Sequence, residues 1–293
     1  MSVKNRIKQI ILNLIFVIIC AGILFPFLLV VSVSLSNEQD VMRYGYQILP
    51  MKLEFSAYEY IFKNPMTILN AYKVTIIFSV SYMVLSVFLM ACLAFLLSKR
   101  NIKGKGAVSF YVYFTMLFSG GLVPTYILIT QYLHLSNTIW VYILPGLISP
   151  WYVFMIRTFF QGLPYELTEA AKIDGASEYR IFFGIILPLS KPVIAAVSLF
   201  MLLGKWNDWM TAMLYIDDEK LISLQYLLQR IMENIKVLQE SAMQFGITLD
   251  TSKIPAETVR MAMAVVVAGP MLLVFPFFQK YFVKGMTVGA VKG

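Results

Sequence analysis

Five consecutive residues, Lys205-Trp206-Asn207-Asp208-Trp209, place an ammonium, a carboxamide, a carboxylate and two indoles inside an otherwise apolar run. Side chains of these types bind polar ligands: an indole face stacks on a pyranose ring, and an amide or carboxylate exchanges hydrogen bonds with hydroxyls. Lys205 and Asp208 are three apart, so on a helix they share one face and can neutralise each other. Charge deep in an apolar segment marks a functional position by default, yet a structural ion pair turned toward a partner helix fits the same residues. Trp151 and Tyr152, beside Pro150, are a second candidate lining, with packing or interfacial anchoring as the competing role. Catalytic chemistry has less to stand on. His134 is the only histidine, and general-base or metal work needs convergent partners. The chain has no phosphate-binding Gly-x-x-x-x-Gly-Lys-Ser/Thr, no Gly-x-Ser-x-Gly and no His-Glu-x-x-His. It is therefore expected to be no enzyme and to hold neither a cofactor nor a metal of its own. Cys20 and Cys92 fall in apolar runs and read as small packing residues.

The elements that must position these residues are membrane helices. Of 293 residues, 59% are hydrophobic and 14% charged, where soluble domains carry about 25% charge, and the mean hydropathy is +0.74. Apolar stretches long enough to cross a bilayer occur near 10–35, 74–97, 107–132, 138–160, 192–216 and 261–283. The expected fold is all-α and polytopic, with six spans. Lys and Arg fix the orientation. Fourteen fall in the N-terminus, the 98–106 and 157–191 loops and the C-terminus; nine fall on the other side, with Lys205 inside a span. Both termini are thus expected in the cytoplasm. The basic residues are spread over juxtamembrane loops and form no stripe, so the net charge of +8 does not call for nucleic acid.

The one long loop on the cytoplasmic side carries its own pattern. Leu163-Pro164 suits a helix start, Tyr165 to Ile173 are helix formers, and Asp174-Gly175 stops the helix, with Gly at the left-handed position. Ser177 can cap a second helix that runs to Leu187-Pro188. Ala170 and Ala171 leave a bare surface for another protein, ringed by Glu166, Glu169 and Asp174. An interfacial connector between spans is the alternative.

Glu169-Ala170-Ala171, Gly175 four residues on, nine further residues, then Ile185-x-Leu187-Pro188 resembles the EAA loop of permease subunits of binding-protein-dependent ABC importers. The ending Lys284-Gly-Met-Thr-Val-Gly-Ala-Val-Lys-Gly293 is similar to those of maltose-transporter-type sugar permeases. The resemblance implies a type I ABC importer membrane domain over 74–293, after a first span and extracytoplasmic loop in 1–73. It implies that Glu169, Ala170, Ala171, Asp174 and Gly175 touch an ATPase subunit, while Ile185, Leu187 and Pro188 brace the 164–188 loop against the membrane domain. It also implies two ATPase subunits that bind the ATP and Mg, a second related permease, and an extracytoplasmic substrate-binding protein. The substrates implied are oligosaccharides or polysaccharide-derived saccharides, acidic ones included, taken up across a bacterial cytoplasmic (inner) membrane. A secondary transporter, an intramembrane enzyme or an assembly factor is the contrasting class; the loop has no use in the first, and no intramembrane His, paired-Asp or Ser/Lys cluster supports the others.

The outer 217–260 loop has Leu221, Leu224, Leu228, Ile231, Ile235 and Leu238 at three- and four-residue steps, an apolar stripe on a helix. That stripe must bury against the membrane domain, the bilayer surface or a partner. Phe245 to Pro255 reads as a flexible loop that could reach toward the binding protein.

Overall fold

The computed structural model describes residues 3–99, 102–244 and 255–289, and no strand occurs among them. In chain order the helices are α1 (Val3–Ser34), α2 (Glu38–Tyr44), α3 (Ser56–Ile61), α4 (Pro65–Ser98), α5 (Lys105–Leu117), α6 (Leu122–Ile127), α7 (Trp140–Ile143) and α8 (Pro150–Gln161). They continue as α9 (Tyr165–Ile173), α10 (Glu178–Ile181), α11 (Leu187–Leu189), α12 (Lys191–Trp206), α13 (Met210–Tyr215), α14 (Leu224–Gln244) and α15 (Ala256–Gly289). Single π turns extend α6 over Leu128–Tyr132 and join α10 to α11 over Phe182–Ile186. The segment Phe245 to Ile254 lies outside the described residues, as does the end of the C-terminal motif.

Among the described residues, three helices are long and apolar enough to cross a membrane: Lys8–Ser34 in α1, Pro65–Ser98 and Ala256–Tyr281 in α15. Two bent pairs raise this to five if each is one span, Lys105–Leu117 with Leu122–Tyr132 at 111° and Glu178–Leu189 with Lys191–Trp206 at 80°. The expected span 138–160 is not one helix. Leu144 is still helical, but Pro145 supplies no amide to continue the ladder, Gly146 takes φ +75, and the backbone resumes as a helix only at Pro150, leaving α7 and the 12-residue α8. The expected span 192–216 likewise breaks, between Trp206 and Met210.

Contacts group the chain into two compact units, residues 1–68 with 228–270, and residues 69–227 with 271–293. In the first, the buried Glu38 carboxylate accepts from the Glu257 and Thr258 amides at 3.0 and 2.9 Å and from Thr258 Oγ1 at 2.8 Å, capping the α15 N-terminus. An anion there meets both the orphan N–H groups and the positive end of the helix dipole. Leu228 and Ile235 of the expected stripe are also buried in this unit, whereas Leu238 is 48% exposed.

In the second unit α4 is central. Met90, Ala91, Ala94 and Leu97 pack with Val153, Ile156 and Phe160 of α8, Ile181, Phe182 and Ile186, and Val193 and Val197 of α12. The alanines matter because small residues let membrane helices approach closely. A polar seam runs up the same helix: Thr75, Ser79, Tyr82 and Ser86, all buried, at helical spacing. Thr75, Tyr82 and Ser86 serve the breaks in other helices, while the Ser79 hydroxyl has no hydrogen-bond partner among the described residues. Tyr82 Oη donates to Gly146 O at 2.6 Å and Ser86 Oγ donates to Leu147 O, both carbonyls freed between α7 and α8, and Thr75 Oγ1 accepts the first amide of α14, Leu224 N, at 2.8 Å. Nearby Phe78 stacks on Tyr142 with centroids 4.2 Å apart, and Tyr142 Oη donates to Leu221 O at 2.8 Å.

Tyr82→Phe keeps the ring but orphans the Gly146 carbonyl, a loss of about 1–3 kcal/mol. It is expected to lower the melting temperature in detergent clearly more than Ser98→Ala, whose hydroxyl only bonds Phe95 O of its own helix. Equal melting temperatures would show that the freed carbonyls find other partners.

Candidate functional site

Two arrangements stand out, both in the second unit. The first is the 164–190 loop. Pro164 sits at the N-cap of α9, one residue earlier than expected. At the other end Gly175 has φ +73, Gly175 N donates to Lys172 O at 3.0 Å and Ala176 N to Ala171 O at 2.9 Å. These two bonds define a Schellman turn, whose left-handed residue is at its lowest cost as Gly. Ser177 then caps α10, its Oγ accepting from Arg180 N at 3.4 Å.

The turn gives the loop two sides. Ala171, Ile181, Phe182 and Ile186 face inward and pack on α4 and α8, with Ile185 and Leu187 half-buried beside them. Ala171 therefore offers no bare outer surface, contrary to expectation: the Schellman motif pairs it with Ala176 on the core side. Ala170, Glu166, Glu169, Asp174, Gly175 and Pro188 are exposed. So are Leu167, Ile173 and Tyr179, the last two at 86% and 80%. Sequence reading missed these, although an isoleucine just before Asp-Gly in a charged loop is a visible signal. A salt bridge ties the inner side down. Lys99, just past the end of α4, pairs with Glu178, and Lys172 lies 3.7 Å from the same carboxylate. Beside the bridge is a cavity of about 580 Å³ lined by Ser98, Lys105, Gln161, Tyr165 and Thr168 among others.

The second arrangement is the break between α12 and α13. Lys205 lies in the last turn of α12, and its Nζ donates to Asp208 Oδ2 at 2.9 Å while sitting 4.8 Å from the Tyr82 ring centroid. Asp208 also accepts from Thr211 N at 3.0 Å and Thr211 Oγ1 at 2.8 Å, so it caps α13. Each charge thus sits at the helix end whose dipole favours it, and the pair is 14% and 16% exposed. Asn207 Nδ2 donates at 2.9 Å to the Leu203 carbonyl, which also accepts the Asn207 amide at 3.2 Å, and Asn207 Oδ1 accepts from Gln225 Nε2 at 3.0 Å. Trp206 is buried against Tyr72, leaving no open indole face, and Trp209 is half-buried. Trp151 is exposed on the first turn of α8, and Tyr152 stacks on Phe200 at 6.0 Å. The structure brings Lys205, Asn207 and Asp208 together and adds Tyr82, Thr211 and Gln225. His134 is exposed outside any helix with φ +50, and no cluster able to hold a metal ion occurs among the described residues.

The second unit is thus a helical core whose breaks are held by polar side chains, with a clamped helix pair that turns apolar residues outward. Residues 74–288 match the family described as binding-protein-dependent transport system inner membrane component, and the chain belongs to that family. It is 40% identical over 270 residues to protein LplC of Bacillus subtilis (strain 168), covering 92% of this chain and 90% of LplC. It is 38% identical over 293 residues to the polygalacturonan/rhamnogalacturonan transport system permease protein YtcP of the same organism, covering 99% and 100%. Among solved structures, one chain of a bacterial ABC transporter involved in the import of the acidic polysaccharide alginate matches with TM-score 0.79 and 27% identity, over 96% of this chain and 99% of that one. The chain is a permease component of an ABC importer, an apolar, helical transport subunit of the inner membrane and not an enzyme.

Asp208→Ala strands the Lys205 ammonium and uncaps α13, whereas Lys205→Met leaves Asp208 bonded to Thr211. Asp208→Ala is expected to lower the yield of assembled protein the more, with breaking a buried pair worth up to about 3–5 kcal/mol. Lys205→Met/Asp208→Asn should recover most of it. Losses that add in the double variant would show that the two residues do not interact.

Proposed function

We propose that this chain is one of two non-identical membrane subunits of an importer that takes oligosaccharides released from polysaccharides, acidic ones included, from an extracytoplasmic binding protein. Two ATPase subunits, holding ATP and Mg, drive it by gripping the 164–188 loop. In this reading the chain crosses the bacterial cytoplasmic membrane six times, the broken segments 107–132, 138–160 and 192–216 counting as spans, with both termini inside. Residues 74–293 form the permease core, preceded by the first span and an extracytoplasmic loop in 1–73. The 217–260 region meets the binding protein on the outside.

The observation that carries the reading is the two-sidedness of the loop. Its inner side is packed and salt-bridged to α4, while Leu167, Ile173 and Tyr179 stand in the open among Glu166, Glu169 and Asp174. Large apolar residues held out on a rigid charged loop suit burial in a partner's cleft. Glu169, Ala170 and Asp174 fit the rim of that contact. Ile185 and Leu187 fit the bracing role. The acidic substrate class is supported by the alginate importer's likeness, and an anionic saccharide would meet Lys205 only in competition with Asp208.

Ile173→Ser/Tyr179→Ser is expected to insert normally, since neither side chain packs on this chain, and to retain at least about tenfold less ATPase subunit in mild detergent, equivalent to about 1.4 kcal/mol. Gly175→Val has open space at its Cβ but forces a β-branched residue to positive φ, costing about 1–3 kcal/mol. Hydrolysis stimulated by binding protein and saccharide should be lost while membrane insertion stays near wild type. Wild-type retention and stimulation in both variants would reduce the loop to a connector. Stimulation by neutral but not uronate oligosaccharides would remove the acidic class.

A further inference from the structure

The bridge at Glu178 joins three helix ends. Lys99 follows the last residue of α4, Lys172 lies in the last turn of α9, and Glu178 is the first residue of α10. Each charge again suits its helix end. The Lys99 ammonium lies 4.3 Å from the Phe95 ring centroid; Phe95 tilts onto Phe182 at 5.0 Å, and Phe182 meets Phe183 edge-on at 4.8 Å. Cation, carboxylate and aromatic rings thus make one continuous seam between α4 and the second half of the loop.

What α4 does beyond the seam gives the bridge its use. Among the residues after Pro65 the helix contains neither Pro nor Gly, so nothing in it provides a hinge of the usual kind. From Ser98 back to Tyr82 it spans roughly 24 Å at about 1.5 Å per residue. At that level Tyr82 underlies Lys205 and holds Gly146, and Ser86 holds Leu147. The same rigid helix is therefore fastened to the loop at one end and to the breaks around Lys205–Asp208 further along. We propose that α4 transmits loop movement to the substrate region, and that Lys99 and Glu178 are positioning residues that keep loop and helix moving as one body. This rests on the reading that ATPase subunits grip the loop.

The test uses the complete reconstituted transporter and reads saccharide transported per ATP hydrolysed. Lys99→Met and Glu178→Gln leave Ile173 and Tyr179 in place, so ATPase subunits should stay bound and basal hydrolysis should persist while transport per ATP falls about tenfold or more. In a Cys20→Ser/Cys92→Ser background, Lys99→Cys/Glu178→Cys should show the same loss, and a short bis-maleimide bridge between the two thiols should restore transport per ATP to within about threefold of wild type. Three results overturn the inference: an unchanged ratio in Lys99→Met, loss of bound ATPase subunits in both single variants, or a bridge that arrests hydrolysis because the two residues must part. If the wild-type complex retains no ATPase subunit, the reading of the loop falls first and the inference with it.

Discussion

A backbone amide or carbonyl with no partner is costly where water is absent, and this chain interrupts its helices repeatedly in apolar surroundings. Everything else in the second unit follows from how those groups are satisfied. The gap between α7 and α8 frees the carbonyls of Gly146 and Leu147, and hydroxyls of α4 take both. At the gap between α12 and α13, Asp208 takes the Thr211 amide, and the Asn207 side chain adds a second donor to the Leu203 carbonyl, which already accepts the Asn207 amide. The polar residues in the middle of the protein are thus structural before they are anything else. Any saccharide that uses them must borrow groups that already have a backbone or charge partner.

That arrangement bears on charge. Lys205 and Asp208 together add no net charge, so the break presents a dipole and two donors more than a cationic well. The Tyr82 ring supplies a further, weaker anchor for the ammonium, of the order of 1–2 kcal/mol when desolvated. Sequence spacing revealed the pair but not Tyr82, more than a hundred residues earlier, because a helix–helix contact leaves no local periodic mark. The same limit explains Lys99 and Glu178. Both were visible as charges, yet only the fold places the end of α4 beside α10.

Local signals were the legible ones. Gly175 at φ +73, Ser177 as a cap and the helix ending after Ile173 all follow from backbone chemistry within a few residues. Hydropathy revealed a membrane protein but overstated the regularity of its helices, since an apolar run reads the same whether it is one rod or two joined by Pro145-Gly146. Burial within the loop was legible only in part. Ala170 and Ala171 are chemically identical neighbours, about 100° apart on the helix, and only the tertiary packing decides that the second faces the core.

The π turn at Phe182–Ile186 carries one residue more than an α-helical turn would need. Inserting or deleting a single residue in a helix rotates everything beyond it by about 100° and shifts it by about 1.5 Å. The face that Tyr179 and Ile173 present is therefore indexed to the core by an integer, the number of residues between Ile181 and Leu187. A relative lacking that extra residue would carry the same letters in its loop and aim them in a different direction, so alignments across this turn have to be read in three dimensions before residue roles are transferred.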